Sequence, residues 1–260
     1  MGHGSRLPAD VHGRDAAVGS ALDAAGRQLR APWAASIAGL LFSVLFTAAL
    51  VLLRNQALLT ASDRELVGLF ATGQDTLAVI GGLYLAPFAG IMFLWFVAVM
   101  RDQIGEREDR FFATVFFGSG LLFVALLFAA AAVASALLVG VHYLGQEPPS
   151  ATLVGLMRAL AYTLLFVFGT RAAAVFLLSI ATIGLRSRAF PRWFAWTGYL
   201  LGAALLLGVA FWDWIILVLP GWVAVVSLFI LRRERLRRTR GGDSSDEVAQ
   251  PLPRSWGNRE

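Results

Sequence analysis

The sequence contains no cysteine and no lysine, and only three histidines in 260 residues. Without cysteine there is no disulfide, no thiol nucleophile and no thiolate metal ligand. Without lysine the standard phosphate-binding loop is excluded, because its lysine contacts the phosphates. His3, His12 and His142 all lie outside the long apolar runs, so no histidine base or metal site is predicted there. We therefore predict no catalytic residue, no metal site and no cofactor.

Apolar residues make up 58% of the chain and charged residues only 15%. The charges lie mostly between apolar runs, each long enough for a helix to cross a bilayer, which takes about 20 residues. A soluble domain of this length would spread its charges along every helix. The composition therefore predicts an all-α bundle of transmembrane helices. The net charge of +5 reflects membrane topology and does not indicate nucleic-acid binding.

Six apolar runs are predicted to be transmembrane helices and together form a domain over residues 32–231. Before it, residues 1–31 show apolar residues at helical spacing, which indicates either a short amphipathic helix on the cytoplasmic membrane surface or a partly ordered tail. After it, residues 232–260 are predicted to be a cytoplasmic tail, basic at first and disordered from residue 241. The predicted spans are 33–53, 78–100, 111–139, 157–185, 194–211 and 214–231.

The arginines define the orientation. With both termini in the cytoplasm, the external loops hold only Arg54 and Arg64. Positive residues are enriched in cytoplasmic segments, so this orientation is favoured over its reverse. The exclusive use of arginine is typical of a GC-rich, actinobacterial-like genome, which predicts a bacterial plasma membrane. The arginines predicted to be cytoplasmic are Arg6, Arg14, Arg27, Arg30, Arg101, Arg107, Arg110, Arg186, Arg188, Arg192 and those after residue 231.

Arg171 lies near the middle of the fourth apolar run, roughly 21 Å from its cytoplasmic end at Leu185. A charge at this depth costs a few kcal/mol and normally faces a partner or a water-filled cavity. We therefore expect the other helices to shelter it. Asp213 is the favoured acidic partner, because its distance from the cytoplasmic end of its span is closest to that of Arg171. The pair either fixes the packing or forms part of an anion- or headgroup-binding cavity.

Other residues are weaker candidates for binding. Arg158 lies near the outer end of the fourth span, and Asp75 is predicted at or beyond the outer surface. Gly198 and Gly202 have the GxxxG spacing typical of helix packing, which would suit a homo-oligomer or a membrane protein partner. A basic cluster after the last span either fixes topology or binds anionic lipid headgroups. It comprises Arg232, Arg233, Arg235, Arg237 and Arg238.

Three functions remain open. The leading prediction is a non-enzymatic structural or accessory membrane protein that binds lipid or a partner. The second is a small transporter or channel with Arg171 in its pathway, since the second and sixth spans are interrupted by Pro87 and Pro220. The third is an enzyme acting on a lipid. The motif Gly118-Ser119-Gly120 invites comparison with intramembrane serine proteases, but the spans contain no histidine to act as a base.

One segment carries a resemblance. Residues Arg186 to Gly202 read Arg-Ser-Arg-Ala-Phe-Pro-Arg-Trp-Phe-Ala-Trp-Thr-Gly-Tyr-Leu-Leu-Gly, a short basic turn followed by Pro-Arg-Trp and a glycine-containing helix. This resembles the junction between the fourth and fifth helices of small uncharacterised bacterial six-helix membrane proteins. The resemblance implies six helices. It implies no activity and no site residues.

Overall fold

The chain folds into long helices, which we call rods because some of them combine α-helical and π-helical segments in succession. The computed structural model describes residues 33–52, 80–104, 110–147, 149–187, 191–208 and 213–248, and these ranges contain no β-strand. The predicted all-α membrane bundle is confirmed. The six rods of the described residues are α1 (Trp33–Leu52), α2 (Ala86–Ile104), α3 (Arg110–His142), α4 (Ala151–Tyr162, Thr163–Gly169 and Thr170–Ser187 in succession), α5 (Arg192–Leu207) and α6 (Val218–Val248).

Five of these rods are long and apolar enough to cross a membrane. The exception is α5, whose 16 residues span about 24 Å, less than the hydrocarbon thickness of about 30 Å. It was predicted to extend from residue 194 to residue 211, and residues 209–212 lie outside the described ranges. The five membrane-spanning stretches are Trp33–Leu52, Gly82–Arg101, Phe111–Val141, Ala151–Arg186 and Trp214–Arg233.

Two rods are longer than the sequence predicted. Helix α4 begins at Ala151, not near Met157, because Ser150 caps it by accepting a hydrogen bond from the backbone N–H of Leu153 at 3.3 Å. Helix α6 continues to Val248, past residue 241, where the disordered tail was expected. Arginine, glutamate and leucine dominate residues 232–240, and all three are strong helix formers. Residues 241–245 read Gly-Gly-Asp-Ser-Ser, which are weaker helix formers, so helix propensity does not account for the helix there.

Pro87 and Pro220 each lie in the first turn of an α-helix. Pro87 is the second residue of α2 and follows a π-helical turn, Ile80–Leu85. Pro220 is the third residue of α6 and follows a 3₁₀ turn, Asp213–Leu217. Proline is tolerated in a first helical turn because its missing N–H would have no intrahelical acceptor there. The irregular backbone therefore lies before the prolines.

Phenylalanine rings fill the centre of the bundle. Phe93 of α2 is fully buried and lies 4.7 Å from Phe42 of α1, 5.3 Å from Phe123 of α3 and 5.1 Å from Phe176 of α4, between ring centroids. A stacked contact at 4.9 Å joins Phe176 to Phe116 of α3. Four rods thus share one apolar, aromatic centre.

Cation–π contacts place several rod ends on the same side of the bundle. The Arg101 guanidinium at the end of α2 lies 4.8 Å from the centroid of the Phe117 ring. The Arg186 guanidinium at the end of α4 lies 4.6 Å from the centroid of the Phe112 ring. Both rings belong to the beginning of α3. The ends of α2 and α4 therefore meet the start of α3, as an up-and-down bundle requires. We call this side the arginine-rich end.

Small residues bring α5 against α4. A Cβ added to Gly198 would lie 2.9 Å from the Cβ of Ala181, and one added to Gly202 would lie 2.9 Å from Leu178 and 3.2 Å from the Ala174 carbonyl oxygen. Both glycines are buried. The GxxxG spacing thus serves a contact within the chain, and its use between chains stays a prediction.

Gly39 allows an equally close approach of α1 to α6. A Cβ at this position would clash with Ser227 Oγ and lie 2.9 Å from Phe96 and 3.1 Å from Val223. We expect Gly39→Ala to lower the free energy of unfolding by about 1–3 kcal/mol, as overpacking does in other cores. Denaturant titration of the purified protein in detergent measures this. The matched control is Gly118→Ala on α3, where an added Cβ meets nothing within 4 Å; equal losses in both variants would contradict the packing described.

Candidate functional site

Helix α4 is interrupted by a π-helical stretch, Thr163–Gly169, immediately before Arg171. At its end the Thr170 N–H donates to the Leu165 carbonyl, five residues back. The Thr170 hydroxyl donates to the Phe166 and Val167 carbonyls at 2.6 and 3.1 Å. Such single π-helical turns are frequent at functional sites. The altered backbone thus presents carbonyl oxygens to side-chain donors at this level of the rod.

Arg171 is exposed on the surface of the bundle. Its Nη1 donates to the Val167 carbonyl of its own rod at 2.7 Å. The expectation that neighbouring helices would enclose this charge is therefore wrong. The charge alone predicts a need for shelter, but the rotation of α4 about its axis decides which way the side chain faces, and here it faces outward.

An apolar groove between α3 and α4 lies beside Arg171. Its volume is about 510 Å³. Two of its wall residues, Leu122 and Phe168, are each 53% exposed, so the groove opens to the outside of the bundle. We call it the α3/α4 groove. Its lining residues are Val115, Gly118, Ser119, Leu122, Leu126, Phe168, Arg171, Ala172 and Val175.

Besides the guanidinium, the groove is lined almost entirely by apolar side chains. Ser119 is buried, and its hydroxyl donates to the Phe116 carbonyl of its own helix at 3.1 Å. Arg171 is the one titratable side chain among the described residues that line the groove. The arrangement therefore suits binding of an anionic group by a cation on an apolar surface, not proton transfer.

No contact among the described residues joins the other predicted binding residues to Arg171. Arg158 is half-buried, 13 residues earlier on α4. Asp213 begins the 3₁₀ turn before α6, and its pairing with Arg171 stays a prediction. Asp75 lies outside the described residues, as does the N-terminal segment 1–31.

The basic cluster lies at the end of the membrane-spanning stretch of α6 and in the helical turns that follow it. Arg232, Arg233 and Arg235 are exposed. Arg237 and Arg238 belong to the same helix. Exposed arginines at the end of a membrane-spanning helix are suited to bind anionic lipid headgroups. Headgroup binding by this cluster stays a prediction.

The sequence did not reveal the groove or the π-helical stretch. A π-helical turn leaves no compositional signal, and a groove depends on which faces of two helices meet. Small residues on α3, such as Ala132 and Ala136, are a partial signal for a helix-packing surface, and both are exposed. A comparison with protein-family models, with curated proteins and with solved structures finds no match.

Proposed function

We propose that this chain is an accessory subunit of a membrane assembly and that it binds a transmembrane helix of a partner protein in the α3/α4 groove. In this proposal a carboxylate on the partner helix pairs with Arg171. The observation that carries it is an arginine exposed on the outer surface of a membrane-spanning helix. Such charges almost always have polar company inside the membrane.

The hydrogen-bonding capacity of the guanidinium supports an external partner. It has five N–H donors in a planar fork, and the described contact uses the Nη1 group. Acyl chains provide no acceptor. A carboxylate accepts two parallel hydrogen bonds from arginine in a charge-assisted pair, stronger than a neutral hydrogen bond.

Depth favours a protein carboxylate over a lipid headgroup. Arg171 lies 14 residues before Leu185, roughly 21 Å along the helix. Lipid phosphates lie at the membrane surface, so one would have to be drawn into the hydrocarbon region to reach the Arg171 level. An aspartate or glutamate on a transmembrane helix is held at that depth by its backbone.

The surface of α3 beside Arg171 suits the close approach of a helix. One face of α3 carries exposed small residues that continue the line of the groove, and small residues at such spacing let transmembrane helices pack closely. Around the axis these positions lie within about 40° of Gly118 on either side, an arc of about 80°, given 3.6 residues per turn. They are Gly118, Ala125, Ala129, Ala132 and Ala136, with Leu122 among them.

A second copy of this chain is a poorer candidate for the partner. The five membrane-spanning stretches of the described residues contain no aspartate and no glutamate. A copy would therefore have no carboxylate to offer from these spans. The complementary charge is expected on a different protein.

The alternative functions have less support. A transport pathway through the bundle centre would cross the cluster of phenylalanine rings around Phe93, whereas Arg171 lies outside that cluster. Hydrolysis of a lipid by Ser119 would need a base beside its hydroxyl, which instead donates to the Phe116 carbonyl.

The proposal is tested by the size of the complex released from native membranes in mild detergent. We expect the wild-type chain in a complex larger than its monomer and Arg171→Leu at the monomer size, because the charge pair is lost. Arg171→Lys keeps the charge and is expected to retain part of the complex. The control Arg158→Leu removes a different cation from the same helix and should leave the size unchanged. A complex that persists in Arg171→Leu would refute the proposal.

A further inference from the structure

A second groove lies between α5 and α6. Its volume is about 330 Å³. Unlike α4 and α5, these two rods are joined chiefly by aromatic contacts, Phe194 with Trp222 at 4.9 Å and Trp193 with Phe229 at 5.8 Å between centroids. We call it the α5/α6 groove. Its lining residues are Trp193, Phe194, Thr197, Leu201, Val218, Gly221, Trp222, Val225 and Val226.

The groove is open and apolar along its length. Gly221 is exposed, and a Cβ added to it would meet nothing within 4 Å. Val225 is also exposed. Trp193 and Leu201 mark the two ends on α5 and are eight residues apart, so the groove runs about 12 Å along the helix. An apolar groove of this length that opens to the outside can hold a segment of a flexible hydrocarbon chain.

Positive charge lies at one end of this groove. The contact of Trp193 with Phe229 places the start of α5 beside the end of the membrane-spanning part of α6. Arg192 directly precedes Trp193, and Arg232 follows Phe229 by three residues, nearly one turn. Both arginines are exposed. The N-terminus of α5 is at the same end, and its dipole also favours an anion there.

We infer that the α5/α6 groove binds one acyl chain of an anionic phospholipid from the leaflet at the arginine-rich end. The phosphate lies at Arg192 and Arg232, and the chain extends past Trp193 and Gly221 toward Leu201. Trp193 lies at the interface, where tryptophan is enriched. The acyl chain makes the same contacts in the groove whichever headgroup it carries, so selectivity between headgroups comes from the charges at the mouth of the groove. This site is separate from the α3/α4 groove and does not depend on the proposed partner helix.

Native mass spectrometry of the full-length protein tests the inference. The protein is exchanged into detergent with equal amounts of phosphatidylglycerol and phosphatidylcholine that have identical acyl chains. We expect phosphatidylglycerol to be retained preferentially. Each arginine near a membrane surface contributes about 1 kcal/mol toward anionic lipid, so Arg192→Gln and Arg232→Gln should each reduce the preference roughly fivefold. Arg101→Gln, at the same membrane end on α2, should not change it.

Filling the groove separates a lipid site from a purely electrostatic one. Gly221→Leu places a side chain in the space for the acyl chain and keeps both arginines, so we expect retained phosphatidylglycerol to fall to the level of phosphatidylcholine. If that variant fails to fold, Val225→Trp blocks the same space from an exposed position. Equal retention of the two lipids by the wild type, or an unchanged preference in a folded groove-filled variant, would overturn the inference.

Discussion

Replacing Arg171 with leucine is expected to improve insertion of the α4 span into a membrane by about 3 kcal/mol, or roughly a hundredfold in the insertion equilibrium. Arginine at the centre of a transmembrane helix costs about 2.5–3.5 kcal/mol on the insertion scale, whereas leucine contributes about −0.3 to −0.6 kcal/mol. The substitution therefore favours insertion of the span into the membrane, while it removes the group that we propose binds the partner. Glycosylation mapping of the α4 span in a host protein with a marginal insertion background measures the shift. An unchanged insertion would mean that the arginine avoids the hydrocarbon region altogether.

The stability of the isolated chain distinguishes an external partner from one within the chain. If Asp213 or Asp75 paired with Arg171 inside the fold, Arg171→Leu would leave a buried carboxylate unpaired, which typically costs about 3–5 kcal/mol. We expect no such loss, because the described partner of the guanidinium is the Val167 carbonyl of its own rod. Denaturant titration in detergent measures the stability of the purified Arg171→Leu and Asp213→Asn variants. Unchanged stability in Arg171→Leu indicates an external partner, whereas a loss of about 3–5 kcal/mol indicates a carboxylate partner within the chain.

The second large effect is expected at the centre of the bundle. Phe93→Ala should lower the free energy of unfolding by about 3–5 kcal/mol, the usual range for a buried phenylalanine. Its ring contacts Phe42, Phe123 and Phe176, so one truncation opens a cavity shared by four rods. Lost packing is the main cause, since lipid is as apolar as the core.

The matched control for this substitution lies on the same helix. Phe88 is 54% exposed, one turn and a half before Phe93. Phe88→Ala should change the free energy of unfolding by less than about 1 kcal/mol, because an exposed ring has few packing partners to lose. Similar losses in the two variants would show that the aromatic cluster does not hold the bundle together.

The membrane architecture could be predicted because hydrophobic length and charge placement carry most of the information. The third span illustrates this. It was predicted from Phe111, and the spanning stretch begins at Phe111 and is bounded by charges and a turn. Helix ends that depend on capping or on polar helix formers were predicted less well. Helix α4 starts six residues earlier than Met157, and α6 extends far beyond Leu231.

The candidate site was only partly predictable. The identity of Arg171 as the unusual residue follows from a charge within an apolar run. Its surroundings do not follow, because the direction of its side chain depends on how α4 is rotated against α3 and on the π-helical stretch before it. Asp213 was favoured as a partner from depth alone, and depth does not determine on which side of a helix a residue lies.

Photo-crosslinking from the α3/α4 groove in native membranes is the most direct test of the central claim. A photoreactive amino acid replaces Leu122, which is exposed in the groove, and Leu200 of α5, which is exposed away from it, serves as the control position. We predict that Leu122 gives a crosslink to a transmembrane segment of another protein that contains aspartate or glutamate, and that Arg171→Leu abolishes it. Crosslinks to lipid alone, or a protein crosslink that Arg171→Leu leaves unchanged, would contradict the account.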